Sequence, residues 1–170
     1  MNRNRRKSKS PGRIIGPLLI ESLANGGKGI ARDAGRVIFV AGAFPGDHVL
    51  CRLTKEKKNF AEAEVVELQQ PSPQRRIPPC PAADQCGGCQ WQQLPYTEQL
   101  SWKQLLFTDT LTRQAGVEKS LIQLIVPSKE EWNYRSRVQV KCCCSTAGFV
   151  TGFYRPKSRF VVPVDECLLM

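Results

Sequence analysis

Residues 29–68 read GIARDAGRVIFVAGAFPGDHVLCRLTKEKKNFAEAEVVEL, and this stretch predicts the fold of the first part of the chain. Strand-like runs in it are separated by turns that contain glycine, Asp-Ala-Gly at 33–35 and Phe-Pro-Gly-Asp at 44–47. On the run after the second turn, Val49, Cys51 and Leu53 share one face. This alternation is typical of antiparallel strands that bury one face.

The flanking sequence extends this pattern to five short strands and then ends it. Upstream, RIIGPLLIESL at 13–23 is a further strand-like run, and five short strands in so few residues favour a small closed barrel of OB type, because closure leaves few sheet edges open. Downstream, QQPSPQRRIPPCP has five prolines, which predict an extended linker. We therefore expect a barrel over 13–69, a linker over 70–79 and a second domain over 80–170.

The second domain is predicted to combine one helix with strands. Apolar residues recur every three to four positions in LPYTEQLSWKQLLFTDTLTRQAG, residues 94–116, which indicates an amphipathic helix with Gly116 as its carboxyl cap. Strand-like runs follow at 121–127, 134–145, 148–155 and 160–164. The expected fold class is mainly β with one or two helices, an OB-like amino-terminal barrel followed by a small α+β domain.

Positive charge is concentrated at the amino terminus. The formal net charge is +10, and residues 1–13 carry six bases and no acid. We expect residues 1–12 to form a disordered basic tail, for which a polyanionic partner such as nucleic acid is favoured over a purely solubilising role. No apolar run approaches the roughly 18 residues of a membrane helix, and the basic start is not followed by a secretory signal. The protein is therefore predicted to be cytoplasmic, without membrane contact.

Three of the eight cysteines lie close together in CPAADQCGGC, residues 80–89. In a reducing compartment this spacing favours a metal or cluster site over a disulfide framework or chance packing. Cys80, Cys86 and Cys89 would supply three ligands, and the fourth could be Cys51, a cysteine of the 142–144 run, or Cys167. Zinc and iron–sulfur clusters both accept four thiolates, so the spacing does not choose between them. The 142–144 cysteines are predicted to be small buried side chains on a strand.

Residues 132–164 contain no acidic residue but several cations and aromatics. Cations neutralise phosphates and aromatic rings stack on unpaired bases, which is the chemistry of a protein that binds single-stranded RNA or RNA loops. The alternative is that the aromatics are core residues and the cations a solvated face. The predicted RNA-binding residues are Trp132, Tyr134, Arg135, Arg137, Arg155, Lys157 and Arg159, with Lys28 and Arg32 on the barrel loops.

From about Arg13 to Met170 the sequence resembles the amino-terminal part of the iron–sulfur RNA uracil carbon-5 methyltransferases, in their 23S ribosomal RNA branch. Residues 27–68 resemble a TRAM domain, and the other matching motifs are CPAADQCGGCQWQQLPYTEQLSWKQ, YRSRVQV and GFYRPKSRFVVPVDECLL. The resemblance implies a [4Fe–4S] cluster held by Cys80, Cys86, Cys89 and Cys167. It also implies 23S ribosomal RNA as the partner of a monomeric protein, with no role for DNA.

The same family uses S-adenosylmethionine in a catalytic domain that follows these motifs. The chain ends at Met170, and its NGGKG segment at 25–29 is a hairpin turn rather than a cofactor-binding loop. We therefore expect the start of a longer protein that binds RNA and a cluster but has no catalytic or S-adenosylmethionine-binding residue of its own. Two alternatives stay open: a zinc- or cluster-stabilised RNA-binding module without enzymatic activity, and an RNA chaperone with no metal.

Overall fold

The structure is a computed structural model that describes residues 12–145 and 148–170. The basic tail predicted over residues 1–12 lies outside the described residues, except for Gly12. The chain divides between Pro73 and Gln74 into two compact units. We call the first the barrel unit and the second the cysteine unit.

The barrel unit is a single sheet of six strands in the order β1-β5-β6-β4-β3-β2. Strands β4 and β6 are parallel, and all other neighbours are antiparallel. The two ends of the sheet, β1 and β2, are separated in the chain only by Ile20 and Glu21, so the sheet curls into a barrel. The strands are β1 Ile14–Leu19, β2 Ser22–Leu23, β3 Gly29–Asp33, β4 Arg36–Ala41, β5 His48–Glu56 and β6 Phe60–Gln70.

Alternating residues of these strands form the hydrophobic core. On β5, Val49, Cys51 and Leu53 are buried, as the alternation in the sequence predicts. On the neighbouring β6, Ala61 and Ala63 are buried between exposed or half-buried glutamates. All members of the core cluster lie in the barrel unit. The other members of this cluster are Leu18, Ile20, Ala31, Ile38, Val40 and Ala43.

The cysteine unit contains one α-helix and a three-stranded sheet, so the predicted fold class is confirmed. Helix α1 spans Tyr96–Ala115, and Gly116 caps it in the left-handed conformation (φ 65°) with its N–H bonded to the Leu111 carbonyl. A 3₁₀ helix at Lys119–Leu121 follows. In the described parts of the chain, no helix combines the length and hydropathy that crossing a bilayer requires. The antiparallel strands, in sheet order, are β7 Lys141–Ser145, β8 Gly148–Tyr154 and β9 Val161–Pro163.

One strand prediction for this unit is wrong and another is too long. Residues 121–127 form no strand, and only 141–145 of the run 134–145 belong to β7. In the first of these segments most apolar side chains face solvent, with Leu124 at 84% and Val126 at 87% exposed. Alternation predicts a strand only where a neighbouring strand and a buried face accept it, and neither is present for this segment among the described residues.

Candidate metal centre and RNA interface

The cysteine loop, residues 80–89, is folded by its own backbone. The Cys86 N–H donates to the Ala82 carbonyl at 2.8 Å, which closes a tight turn. The Gly88 N–H is directed at the Cys86 sulfur, with 3.4 Å between the nitrogen and Sγ. Amide donors of this kind stabilise a thiolate, and they tune a metal or cluster that the thiolate binds.

Gly87 allows this loop to approach the β8–β9 connection closely. Its N–H donates to the Tyr154 carbonyl at 2.9 Å. A Cβ at position 87 would lie 2.8 Å from that oxygen and 3.1 Å from the Pro156 nitrogen, too close for any larger residue without a backbone shift. The glycine is therefore required by packing between two backbone segments.

Four cysteines from two distant parts of the chain line one cavity. Cys80, Cys86 and Cys89 come from the loop, and Cys167 comes from the segment that follows β9. Most of the other lining side chains are apolar, and Arg135 is the charged residue on the wall. The structure thus brings together the four ligands that the family resemblance implied, while their role as ligands stays a prediction.

The four thiols influence one another. Burial raises the pKa of Cys89, a hydrogen bond from the Gln92 side chain lowers it, and the neighbouring Cys86, Cys167 and Cys80 raise it further. In the absence of a bound metal, Cys89 therefore holds its proton more tightly than an exposed thiol does. A bound metal would reverse this balance, because metal coordination deprotonates thiols.

Among the residues that the structure describes, no group of three or more His, Cys, Asp or Glu side chains has the arrangement of a metal-ion site. A tetrahedral zinc site requires Zn–S distances of about 2.3 Å, which bring the sulfurs to within about 4 Å of each other. The four cysteines therefore share a cavity without forming a preassembled site for a single ion.

The remaining cysteines lie outside this cavity. Cys51 is fully buried in the barrel core, where burial raises its pKa to about 11. It stays protonated at neutral pH, which makes it a poor ligand. The prediction that the 142–144 run is buried is wrong, because Cys142 and Cys144 are exposed and only Cys143 is half-buried. The exposure of Cys142 and Cys144 shows that their face of β7 has no covering layer among the described residues.

Three of the predicted RNA-binding cations occupy one hairpin. Arg155, Lys157 and Arg159 lie between β8 and β9, and all three are exposed. The Arg155 N–H donates to the Phe160 carbonyl at 2.9 Å, and the Arg155 guanidinium lies 4.9 Å from the centre of the Phe160 ring. In the described part of the chain, none of these cations pairs with a carboxylate, so their charge is available to a polyanion.

The other predicted residues of this unit lie on the segment before β7. Tyr134 is 55% exposed, and the Arg135 guanidinium lies 5.9 Å from the centre of its ring. Arg137 is exposed as well. Trp132 differs, because it is half-buried and the Arg76 guanidinium covers its ring at 5.6 Å. A guanidinium lies over each ring, and Tyr134 is the aromatic that is more accessible to a base because it is the more exposed of the two.

The predicted cations of the barrel unit are engaged with carboxylates. Lys28 is bonded to Glu62, which also accepts from Lys55 at 3.3 Å. The hydrogen bond from Lys28 is the main reason that the pKa of Glu62 is lowered. Arg32 lies 3.5 Å from Glu21. These two cations, of which Arg32 lies on β3 rather than on a loop, are therefore less available to a polyanion than those of the β8–β9 hairpin.

Sequence reasoning missed two residues that shape the thiol site. Gln92 is 6% exposed, lines the cavity and hydrogen-bonds Cys89, while its Oε1 has no partner in the described part of the chain. Arg76 donates from Nε to the Gln92 carbonyl at 2.9 Å and pairs with Glu131. A role for Gln92 beside the cysteines could have been predicted from its position, three residues after Cys89. Nothing in the sequence distinguishes Arg76 from its neighbour Arg75 in the predicted linker.

The barrel unit matches a known domain family. Residues 10–66 match the family model of the TRAM domain. The barrel unit contains a TRAM domain. Since the TRAM match covers the strands of the barrel up to the middle of β6, the barrel fold and the domain assignment support each other.

The chain as a whole is homologous to RNA methyltransferases. It is 41% identical over 152 residues to an uncharacterized RNA methyltransferase of Aquifex aeolicus, covering 89% of this chain and 35% of that protein. A second protein of that description, from Bdellovibrio bacteriovorus, is 40% identical over 170 residues, covering 98% of this chain and 42% of its own length. The chain thus spans well under half the length of these curated relatives.

A solved structure extends the similarity beyond the TRAM domain. The Pyrococcus abyssi tRNA (uracil-54, C5)-methyltransferase, in complex with S-adenosyl-L-homocysteine, has 26% sequence identity and a TM-score of 0.58. The similarity covers 90% of this chain and 32% of that enzyme. It therefore includes the cysteine unit as well as the TRAM domain.

Proposed function

We propose that this chain is the RNA-binding, [4Fe–4S]-containing amino-terminal part of an S-adenosylmethionine-dependent 23S ribosomal RNA (uracil-5-) methyltransferase. The single observation that carries the proposal is the cavity lined by Cys80, Cys86, Cys89 and Cys167. These cysteines come from both ends of the cysteine unit, and the homologues of the chain are RNA methyltransferases.

The donor set fits a cluster. Four thiolates suit a cluster or a zinc ion, and the resemblance of residues 80–104 to the iron–sulfur methyltransferases favours the cluster. The Gly88 amide and the Gln92 side chain already donate towards the sulfurs of Cys86 and Cys89. When bound, the cluster would supply a redox-active cross-link between the loop and the Cys167 segment.

The protein's own residues would bind and orient the RNA. Arg155, Lys157 and Arg159 would neutralise phosphates from the β8–β9 hairpin, and Tyr134 would stack on an unpaired base. Arg135 and Arg137 would extend the positive surface, with Lys28 and Arg32 as secondary contacts from the TRAM domain. Trp132 would support this surface through its packing against Arg76.

Methyl transfer would belong to the whole enzyme. The chain covers 32% of the tRNA methyltransferase whose structure contains S-adenosyl-L-homocysteine, and no residue of this chain is assigned to the methyl donor. Eight free thiols suit a reducing compartment, so we place the enzyme in the cytoplasm. We also propose that it is a monomer.

Anaerobic purification tests the metal part of the proposal. We expect a brown protein with about four iron and four sulfide per chain. Cys89→Ser should lose the colour, whereas Cys142→Ser, at an exposed thiol outside the cavity, should keep it. Colourless protein with one zinc per chain would instead support the zinc-stabilised module.

The RNA part is tested by affinity for a 23S ribosomal RNA hairpin and for a tRNA transcript, measured side by side at one salt concentration. Preference for the ribosomal hairpin is expected. Preference for the tRNA would contradict the 23S assignment and move the substrate to the class named for the Pyrococcus enzyme. Equal and weak binding of both would contradict specific RNA recognition by this part of the enzyme.

A further inference from the structure

The cysteine unit buries little apolar surface. Among its described residues, only four hydrophobic side chains are buried: Leu94, Val161, Val162 and Leu169. The hydrophobic core cluster lies wholly in the barrel unit, and helix α1 has no buried residue at all. Domains that bury this little apolar surface need a cross-link, a metal or a partner to hold their chain in one conformation.

The thiol site is attached to the β8–β9 hairpin on one side. The Gly87 N–H bonds the Tyr154 carbonyl at 2.9 Å, and the Arg155 guanidinium reaches Gln85 Oε1 at 3.4 Å. Both Gly87 and Gln85 belong to the cysteine loop. The position of the hairpin that carries Arg155, Lys157 and Arg159 is therefore set by the conformation of this loop.

On its other side the site is attached to the segment of Tyr134. The Asn133 and Arg135 N–H groups donate to the carbonyls of Leu168 and Leu169, both at 2.8 Å. These acceptors directly follow Cys167 in the chain, and the Arg135 side chain lines the thiol cavity. Each half of the basic surface is thus bonded to the backbone beside one part of the thiol site.

We propose that loading of the thiol site and RNA binding are thermodynamically coupled. A group that joins Cys167 to the loop cysteines fixes the two backbone segments on which the basic surface is built. The loaded protein therefore binds RNA without first ordering that surface, and RNA that bridges the two segments in turn holds the loop and the Cys167 segment together. Coupling is reciprocal, so both affinities change by the same factor. This inference rests on the proposed function, because it requires both the cluster and the RNA face.

The experiment compares loaded protein with protein stripped anaerobically by an iron chelator. The probe is a fluorescent 23S ribosomal RNA hairpin, and its affinity should fall by about tenfold or more on stripping, within the usual range for coupled sites. Reconstitution with iron and sulfide should restore the affinity. In the reciprocal measurement, saturating RNA should slow the loss of visible absorption to the chelator.

Gly87→Ala tests the path of the coupling, since the added Cβ meets the Tyr154 carbonyl rather than a sulfur. This variant should retain iron but bind RNA like the stripped protein. Cys142→Ser is the matched control and should behave as the wild type in both measurements. Gln85→Ala, which removes only the link to the Arg155 side chain, should retain iron and give a smaller loss of RNA affinity than Gly87→Ala.

The outcomes separate this inference from the proposed function. Suppose that the loaded protein binds the hairpin, that stripping leaves the affinity unchanged, and that RNA does not protect the iron. This result overturns the coupling and leaves the proposed function standing. Protein that takes up no iron, or that does not bind RNA when loaded, overturns both.

Discussion

The buried carboxylate of Asp47 accepts a hydrogen bond from the Ser72 backbone N–H at 2.9 Å, across 25 positions of sequence. Its other oxygen accepts from the Phe44 N–H at 2.7 Å. One side chain with no exposed surface thus joins the turn before β5 to the chain that leaves β6. The bond between Asp47 and Ser72 therefore connects the last residues of the barrel unit to the turn before β5.

Asp47→Ala should therefore destabilise the barrel unit. Two buried N–H groups would lose a charged acceptor, and the expected decrease in the free energy of unfolding is about 3 kcal/mol. Urea denaturation followed by circular dichroism measures this change. Ser72→Ala keeps the backbone N–H and is the control, which should cost much less. Equal losses in the two variants would mean that the Ser72 side chain, rather than the carboxylate, holds this corner.

Cys51 should make the stability of the barrel depend on alkaline pH. Burial raises the pKa of this thiol to about 11, so the folded state holds the proton more tightly than the unfolded state. Its contribution is complete below about pH 9 and is lost as the pH rises towards 11, on the order of 2 kcal/mol in total. Denaturation at pH 8 and at pH 10.5 should show a smaller difference for Cys51→Ala than for the wild type. An identical pH difference in both proteins would contradict this account.

The β8–β9 hairpin should contribute the salt dependence of RNA binding. Replacing Lys157 and Arg159 with Ala removes two exposed cations, and the slope of log K against log salt should decrease by roughly 1.4, about 0.7 for each lost phosphate contact on a single strand. Fluorescence anisotropy at several salt concentrations measures the slope. Arg113→Ala, at an exposed cation paired with Asp109 on α1, is the control and should leave it unchanged. An unchanged slope in the double variant would exclude the hairpin as a phosphate-binding site.

Tyr134 and Trp132 should respond differently to substitution by Leu. Tyr134 is exposed, so its loss should weaken RNA binding by about 1 to 3 kcal/mol without changing the salt slope or the stability. Trp132 packs under Arg76, so its loss should instead lower the melting temperature. Thermal melts and affinities measured on both variants distinguish the two roles. A stable Trp132→Leu variant with impaired RNA binding would reverse the assignment.

The strands of the barrel were predictable from sequence because alternation within a strand is a local signal. The buried side chains Val49, Cys51 and Leu53 are those that the pattern placed on one face. The split of the first predicted strand into β1 and β2 was not predictable from alternation, since it depends on Ile20, which is buried at the corner and bonded through its backbone to Gly46 and Asp47.

The cysteine unit was less predictable because long-range contacts decide its structure. The apolar run at 121–127 looked like a strand, but it has no partner strand in the described residues. The run 142–144 looked buried, yet Cys142 and Cys144 lie on an open face of an edge strand. Spacing grouped three cysteines, and the fourth could not be chosen from sequence distance alone. Only the fold places Cys167, rather than Cys51, on the wall of their cavity.

The rates of amide hydrogen exchange should reflect the uneven distribution of buried side chains along the chain. Exchange with deuterium at the core strands of the barrel requires opening of a packed cluster, whereas most of the cysteine unit has no such cluster to open among its described residues. In a single sample, β4, β5 and β6 should retain protons long after α1 and β7 have exchanged them. The two units would then behave as separate cooperative units, so a single melting temperature would not describe the chain.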